Sequence, residues 1–273
     1  MSGPARPSDF DPVAARYDAT RGGEERGRRL ARELDPFLRR DTPVLDIGAG
    51  TGVVALGLTE LGHRVVAADL SRGMLRQALP RLGGLAVQGD ARCLPFRDAS
   101  FEQAYSVWLL HHVGDIRAAL REVARVLRPD GRYLVVPAGA DPLGAPDPAN
   151  EIARGMQRRV LGPKADRCAG NANDLPDLAP AAGLRVAGVY PLEPHSYEES
   201  PETLARAIEE RAFAYLWDVD EETWRREVEP AIAAIRALPD PDRPVTRRVR
   251  PFPMVVLERP PAPLPLSRPA GEG

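Results

Sequence analysis

Residues 44–55 read VLDIGAGTGVVA, and this stretch decides the fold. A short apolar run at 44–47 leads directly into three glycines at alternate positions, Gly48, Gly50 and Gly52, after which a helical pattern begins. Glycine lets a ligand approach the backbone closely because it has no Cβ, and the N-terminus of a helix presents exposed N–H groups. The stretch therefore predicts a strand, a tight ligand-binding turn and a helix.

The glycine spacing argues against two common phosphate-binding loops. A dinucleotide-binding turn needs G-x-G-x-x-G, and Val53 stands where the third glycine of that pattern belongs. A Walker A loop needs Gly-Lys-Ser or Gly-Lys-Thr, which does not follow here. The turn is therefore predicted to bind another kind of ligand, and a tight turn that binds nothing is the alternative.

Short apolar runs alternate with helical patterns along this part of the chain. Strands are predicted at 42–47, 64–69, 85–90, 101–108 and 132–137, and helices at 53–62, 71–82 and 115–127. This alternation is typical of an α/β fold with a parallel sheet and helices on both faces. Ligands of such sheets lie at the carboxyl ends of the strands.

The last third of the chain departs from this alternation. Strands are predicted at 184–190 and 253–259, and two helical patterns between them begin after Ser200 and Asp220. Pro230 lies inside the second pattern and is expected to kink or split that helix. We expect the two helices to cap the ligand end of the sheet.

Two predicted strands end in acidic residues. Asp69 follows Gly52 by 17 positions, where a carboxylate can accept both ribose hydroxyls of a nucleoside. Asp90 ends the third strand, where it can accept a hydrogen bond from an adenine amino group. The alternatives are a helix-capping role for Asp69 beside Ser71 and an ordinary loop position for Asp90.

Composition and charge narrow the class of protein. In 273 residues, 37 Lys and Arg nearly balance 39 Asp and Glu, and the net charge of −2 argues against general binding to nucleic acid or an anionic membrane. The two cysteines, Cys93 and Cys168, indicate reduced thiols. We find neither an apolar run of membrane-spanning length nor a secretory leader. We therefore expect a cytoplasmic protein that binds neither nucleic acid nor membrane.

The motifs, taken together and in order, resemble a known family. They are VLDIGAGTG (44–52), Asp69, GDARCLPF (89–96), FEQAYSVWLLHHV (101–113) and ALREVARVLRPDGRYLVV (119–136). The set resembles the class I, Rossmann-like methyltransferases that depend on S-adenosylmethionine, in particular the ubiquinone/menaquinone-biosynthesis type and its small-molecule relatives. The resemblance extends over about residues 10–138.

The resemblance implies an architecture for the whole chain. We expect an α/β fold with a Rossmann-like, seven-stranded, mostly parallel sheet whose last hairpin is antiparallel, helices on both faces and a helical cap inserted near the C-terminus. The runs at 184–190 and 253–259 fit that hairpin. The predicted divisions are an N-terminal lid and helix (1–41), a cofactor-binding core (42–199) with a loop insertion (139–183), a helical cap (200–245), a final core strand (246–259) and a disordered proline-rich tail (260–273).

The resemblance also implies roles for single residues around S-adenosylmethionine and its product S-adenosylhomocysteine. The methionine part is expected at Asp46 and the loop, the ribose at Asp69, the adenine between Leu70 and Met74, the adenine edge at Asp90 and Ala91, and the sulfonium at 106–108. Tyr17, in the lid segment FDPVAARYD (10–18), is expected to close over the cofactor or, alternatively, to pack on the sheet. The cofactor-binding residues so implied are Tyr17, Asp46, Gly48, Ala49, Gly50, Gly52, Asp69, Leu70, Met74, Asp90, Ala91, Ser106 and Val107.

Two adjacent histidines are the candidate catalytic residues. His111 and His112 follow the fourth strand, and imidazole suits a general base near neutral pH. A structural role is the alternative, and His195 is a further candidate. Adjacent side chains at a strand end point in different directions, so we expect no metal site there.

The sequence leaves three classes of function open. The first is a methyltransferase that acts on an O, N or C atom of a small organic acceptor, secondary metabolites included. The second is a nicotinamide-dependent oxidoreductase, which Val53 disfavours, and the third is a non-catalytic cofactor-binding scaffold. A cluster of arginines could receive an acceptor carboxylate or phosphate, or form a solvated face: Arg243, Arg247, Arg248 and Arg250. A monomer or homodimer is expected.

Overall fold

The computed structural model describes residues 10–18, 22–83, 85–162 and 174–261. The described strands form one sheet of seven strands and a second sheet of three. In chain order they are β1 (Val44–Ile47), β2 (Val65–Asp69), β3 (Ala86–Gln88), β4 (Phe101–Val107), β5 (Leu127–Val136), β6 (Ala140–Leu143), β7 (Arg185–Tyr190), β8 (His195–Glu199), β9 (Val245–Pro251) and β10 (Met254–Glu258).

The helices fall into a group around the large sheet and a group near the C-terminus. In chain order they are α1 (Ala14–Tyr17), α2 (Gly23–Leu34), α3 (Val53–Glu60), α4 (Arg72–Arg81), α5 (Ile116–Val126), α6 (Pro148–Leu161), α7 (Leu175–Leu178), α8 (Pro201–Glu209), α9 (Glu221–Thr223) and α10 (Glu229–Arg236). A π-helical turn, Trp224–Val228, joins α9 to α10.

The large sheet has the order β3-β2-β1-β4-β5-β10-β7, and β10 runs antiparallel to both of its neighbours. The other pairs in this sheet are parallel. This arrangement confirms the predicted mostly parallel sheet with an antiparallel β7–β10 pair. The strand order reverses at β1, because the chain proceeds outward through β2 and β3 and then returns to β4 on the other side. A ligand-binding crevice is expected at this switch point.

Helices cover both faces of the large sheet, which explains the apolar composition of β1. Successive side chains of a strand point to opposite faces. Leu45 and Ile47 pack in a core with Leu120 of α5, and Val44 packs in the opposite core with Leu30 of α2. A strand buried on both faces has no polar side, so it appears as a continuous apolar run broken here by Asp46 alone.

The C-terminal helices form a third core, to which the predicted loop insertion contributes. Residues 139–183, predicted as a loop, contain β6 and α6. Met156 of α6 is buried with Ile208 of α8 and Ile235 of α10. The helical periodicity of α6 was missed because its first turn follows a stretch rich in Pro and Gly. Cys168 and residues 262–273 of the predicted tail lie outside the described residues.

The predicted helix starts and the predicted break in the cap are confirmed. The side chains of Ser200 and Asp220 accept hydrogen bonds from the backbone N–H groups three residues later. Pro230 stands in the first turn of α10, directly after the π-helical turn. Proline cannot donate to the residue four positions earlier, and the wider turn accommodates this. The first of these helices, α8, ends at Glu209.

Two helix-interior glycines give a matched test of the packing between α2 and α3. A Cβ added at Gly27 would lie 2.2 Å from the carbonyl oxygen of Val53. Because this is a backbone atom, it cannot move away as the end of a flexible side chain can. At Gly155 the nearest atom is the flexible end of Arg159, at 3.3 Å. We expect Gly27→Ala to lose about 1–3 kcal/mol of unfolding free energy. Gly155→Ala should gain about 0.5–1 kcal/mol from higher helix propensity. Urea titrations of both variants measure these changes, and equal effects would contradict the packing.

Candidate active site

A cavity opens at the carboxyl ends of β1 to β4, at the switch point of the large sheet. Its wall combines backbone of the glycine loop, apolar side chains and a few polar groups. The lining residues are Phe10, Tyr17, Ile47, Gly48, Gly50, Ala68, Asp69, Leu70, Ser71, Met74, Gly89, Asp90, Ala91, Arg92, Leu94, Val107, Trp108, Leu109, His112, Val113 and Gly114.

The three glycines of the loop have positive φ angles, 74°, 56° and 76° for Gly48, Gly50 and Gly52, but different surroundings. A Cβ at Gly48 would lie 2.5 Å from Cδ1 of Leu109, and one at Gly52 would lie 2.9 Å from Cβ of Ala78. A Cβ at Gly50 would meet no atom within 4 Å. Gly48 and Gly52 are thus fixed by packing, whereas Gly50 borders open space that a ligand can fill. Gly52 and Ala49 are not among the cavity-lining residues.

Asp69 is held at the cavity wall by two backbone N–H groups. Its Oδ2 accepts from Gly50 at 2.8 Å and its Oδ1 accepts from Ser71 at 2.8 Å. Burial raises the pKa of Asp69, and the N–H groups of Ser71 and Gly50 act against that rise. The cap of α4 is Ser71, whose Oγ accepts from Met74, so the capping alternative for Asp69 does not describe its position. A carboxylate has about four lone-pair positions, so Asp69 can accept further hydrogen bonds from a ligand.

Asp46 and Ser106 lie behind the wall. Asp46 is 2% exposed, and its Oδ2 accepts from the Tyr105 hydroxyl at 2.6 Å. Burial raises the pKa of Asp46 to about 7, although the Tyr105 hydrogen bond opposes this. Ser106 is fully buried and shares a 2.6 Å hydrogen bond with Tyr133. Both side chains therefore support the floor of the site.

Asp90 forms an ion pair that sequence reasoning missed. The Arg92 guanidinium lies 2.6 Å from Oδ2 of Asp90, and the Arg92 backbone N–H donates to Oδ1 at 2.8 Å. This partner lowers the pKa of Asp90. Because Arg92 also lines the cavity, a ligand at this edge meets both charges. Spacing within a loop does not reveal such a pair.

The N-terminal segment lies over the cavity and is fastened at two points. The Asp11 carboxylate accepts from the Ser71 hydroxyl and from the Gly73 backbone N–H at the start of α4, and these bonds lower its pKa. Asp18 accepts from the Thr51 hydroxyl and forms an ion pair with Arg81 at 2.8 Å. The predicted lid position is thus occupied by Phe10 and Tyr17, which both line the cavity.

The two candidate histidines occupy different positions. Their ring centres are 3.8 Å apart, and His112 lines the cavity whereas His111 is not among the lining residues. Phe10 packs edge-on against His112, with ring centres 5.1 Å apart, and also against Trp217, at 4.7 Å. The lid, the end of β4 and the helical cap therefore meet at Phe10.

Within the arginine cluster before β10, Arg243, Arg248 and Arg250 are exposed, whereas Arg247 is paired inside the fold. Arg247 is 5% exposed and is enclosed by the carboxylates of Asp147 and Glu199. It belongs to β9, which the sequence analysis did not separate from β10 within the predicted final core strand (246–259). Its charge is therefore used within the fold, between the small sheet and α6.

Sequence reasoning missed several lining residues that follow strand ends. Leu109, Val113 and Gly114 follow β4 within seven residues, and Ala68 ends the buried part of β2. Trp108, which was expected beside the sulfonium, also lines the cavity. The residues that follow a parallel strand lie at the same edge of the sheet as its carboxyl end. Including the few residues after each predicted strand among the candidate site residues would therefore have identified the missed ones.

The raised pKa of Asp46 predicts how the unfolding free energy depends on pH. Its folded pKa of about 7 exceeds the ordinary aspartate value of 3.8, so between these two pH values the folded state holds a proton that the unfolded chain releases. The stability contributed by protonated Asp46 is complete below the unfolded pKa and is lost as pH rises through the folded pKa. Asp46→Asn removes this dependence while an amide oxygen still accepts from Tyr105. The unfolding free energy of Asp46→Asn should therefore fall less than that of the wild type as pH rises through that window.

Urea titrations at several pH values measure this difference. Asp141→Asn, at an exposed position of β6, serves as the control and should follow the wild type. Parallel curves for Asp46→Asn and the wild type would contradict the buried, protonated state of Asp46.

The family comparison matches the part of the chain that builds this site. Residues 45–135, about a third of the chain, match the family model described as a methyltransferase domain. The demethylmenaquinone methyltransferase of Mycolicibacterium paratuberculosis is 42% identical over 132 residues, which cover 47% of this chain and 57% of that protein. The chain thus spans little more than half the length of such relatives. These matches confirm the predicted resemblance to methyltransferases of the menaquinone type.

Solved structures confirm the fold across almost the whole chain. The Haemonchus contortus phosphoethanolamine N-methyltransferase 2, in complex with S-adenosyl-L-methionine, has a TM-score of 0.51 at 18% identity over 95% of this chain and 61% of that one. The [4+2]-cyclase SpnF has a TM-score of 0.57 at 16% identity over 96% of this chain and 100% of that one. At these identities the likeness shows the fold alone.

None of the helices that the structure describes combines the length and apolar character needed to cross a bilayer. Within the described ranges, no group of three or more His, Cys, Asp or Glu side chains is arranged to hold a metal ion.

Proposed function

We propose that this chain transfers a methyl group from S-adenosylmethionine to an O, N or C atom of a small organic acceptor. The observation that carries the proposal is the Asp69 carboxylate, fixed by the N–H groups of Gly50 and Ser71 beside the open space at Gly50. A carboxylate in this position suits the two hydroxyls of a ribose. The family match over residues 45–135 supports the same conclusion.

The described residues fit S-adenosylmethionine, which supplies an activated methyl group on a sulfonium when bound. Asp69 would accept the ribose hydroxyls, while Leu70 and the buried Met74 offer apolar contact to the adenine. Backbone at Gly48 and Gly50 can approach the methionine part closely because no Cβ intervenes. The role of these residues is to bind and orient, since positioning supplies most of the catalysis in a transfer of this kind.

We propose His112, rather than His111, as the general base for a hydroxyl or acidic carbon acceptor. His112 lines the cavity near the end of β4, where Val107 and Trp108 form the wall. A base must reach the proton that it removes, so position decides between the two histidines. An amine acceptor would need no such base.

These observations support two other functions less well, an oxidoreductase and a non-catalytic scaffold. An oxidoreductase would need a pyrophosphate cradle, and Val53 occupies the position of the third fingerprint glycine. A pure scaffold that binds no cofactor would not require Asp69 to be held at the cavity by two N–H groups. The likeness to a [4+2]-cyclase indicates that the fold alone does not decide the reaction. The cytoplasmic location and the monomeric or homodimeric state stay predictions.

Asp69→Ala tests the binding role. Loss of hydrogen bonds to a charged acceptor should lower the affinity for S-adenosylhomocysteine by about tenfold or more. Isothermal titration calorimetry measures this change. Asp141→Ala removes an exposed carboxylate of β6 and should leave the affinity unchanged. If Asp69→Ala binds as tightly as the wild type, the assignment of Asp69 to the ribose is wrong.

His112→Asn tests the base. With a hydroxyl acceptor found by screening, His112→Asn should lower kcat by about 100-fold or more, the usual contribution of a positioned base. Its affinity for S-adenosylhomocysteine should change little. His111→Asn is the matched control and should keep most of the activity. Full activity of His112→Asn with a hydroxyl acceptor would contradict the role.

A further inference from the structure

Trp108, the first residue after β4, has a backbone conformation that its side chain disfavours. Its φ angle is 54°, in the left-handed region that residues with a Cβ adopt only with strain. The other described non-glycine residues with positive φ lie outside the cavity lining: Ala99, Asp130, Arg211 and Asp240. Strain of this kind is concentrated at functional sites. A strained tryptophan in the cavity wall therefore points to a functional role.

Contacts of the backbone and of the side chain hold Trp108 in this conformation. Its backbone N–H donates to the carbonyl oxygen of Val136 at 2.9 Å, next to the last residue pair of the β4–β5 ladder. The guanidinium carbon of Arg26 lies 4.9 Å from the centre of the Trp108 ring. Trp108 lines the cavity, whereas Arg26 is not among the lining residues. The indole therefore lies between α2 and the space that a ligand can fill.

Trp108 and the glycine loop lie at the same end of the cavity. The strand order β3-β2-β1-β4 places Asp69, which ends β2, between two groups of lining residues. Residues 89–92 follow β3 on one side, whereas the glycine loop and Trp108 follow β1 and β4 on the other. A Cβ added at Gly48 would lie 2.5 Å from Cδ1 of Leu109, the residue after Trp108. The chain that leaves β4 therefore packs directly on the glycine loop.

This order of elements puts the charged atom of the proposed cofactor on the side of Trp108. The sulfur of S-adenosylmethionine joins the ribose to the methionine part, so it belongs between Asp69 and the glycine loop. Among residues 106–108, Ser106 is fully buried behind the wall, and its hydroxyl shares a hydrogen bond with Tyr133. Val107 is aliphatic. Trp108 is thus the residue of this group whose π-system can attract a cation.

We propose that Trp108 is a specificity-determining residue that distinguishes the sulfonium cation of the methyl donor from the neutral thioether of the demethylated product. An aromatic ring attracts a cation most strongly where water is excluded, and the wall around Trp108 is apolar, with Val107, Leu109 and Val113. The positive charge is lost together with the methyl group, so Trp108 holds the donor more firmly than the product. The inference rests on the proposed methyltransferase function, since it concerns the charge selectivity of the same site.

Calorimetric titration of the full chain with three ligands tests the inference. S-adenosylmethionine carries a sulfonium, sinefungin carries an ammonium group in place of the methylsulfonium, and S-adenosylhomocysteine carries a neutral thioether. Trp108→Leu should weaken the binding of the two cationic ligands about five- to tenfold more than that of the neutral one. Loss of packing area affects all three ligands alike, so the difference between them measures the contribution of the charge.

Two further variants separate charge selectivity from a purely structural role. Trp108→Phe keeps an aromatic ring, which attracts a cation less strongly than indole does. Its preference for the cationic ligands should therefore lie between those of the wild type and Trp108→Leu, and it carries the test if Trp108→Leu does not fold. Tyr190→Leu removes a ring at the exposed end of β7, where Tyr190 packs on Phe37. This control should leave all three affinities unchanged.

Two results would overturn the role of Trp108. An equal loss of affinity for all three ligands in the Trp108 variants would show that the indole supplies contact area alone. Unchanged affinities would show that the charged sulfur does not lie beside Trp108. A wild type that binds none of the three ligands would instead contradict the proposed function itself, and the inference would fall with it. Because each readout is a binding affinity, the experiment needs no acceptor and no turnover.

Discussion

The hydrogen bond from the Gly50 N–H to the Asp69 carboxylate is the contact on which the site depends. It joins the turn after β1 to the end of β2, across the point where the strand order reverses. The bond requires the left-handed backbone at Gly50, which a larger residue adopts only with strain. The same glycine leaves the space above it open. One backbone conformation therefore fixes a carboxylate and makes room for its ligand.

The start of α4 extends this constraint to the lid and the cap. Ser71 donates its N–H to Asp69, and its hydroxyl donates to Asp11 of the N-terminal segment. Phe10, next to Asp11, contacts Trp217 of the C-terminal part. Asp69, the N-terminal segment and the C-terminal helices are thus linked through one short chain of contacts beside the cavity.

Local patterns predicted the parts of the fold that depend on local physics. The glycine turn, the strand ends and the helix starts at Ser71 and Ser200 depend only on residues that are close in sequence. These predictions were confirmed. The β6-β9-β8 sheet, the Asp90–Arg92 pair and the burial of Arg247 were missed. They depend on contacts between distant segments or on side-chain conformation, for which a single sequence carries no periodic signal.

The central claim is that the cavity at Gly50 and Asp69 binds S-adenosylmethionine. Its most direct test is calorimetric titration of the protein with S-adenosylmethionine, S-adenosylhomocysteine and NAD. The account predicts about micromolar binding of the first two, which corresponds to roughly −8 kcal/mol, and none of NAD. Binding of NAD with no response to either of the other two compounds would contradict it.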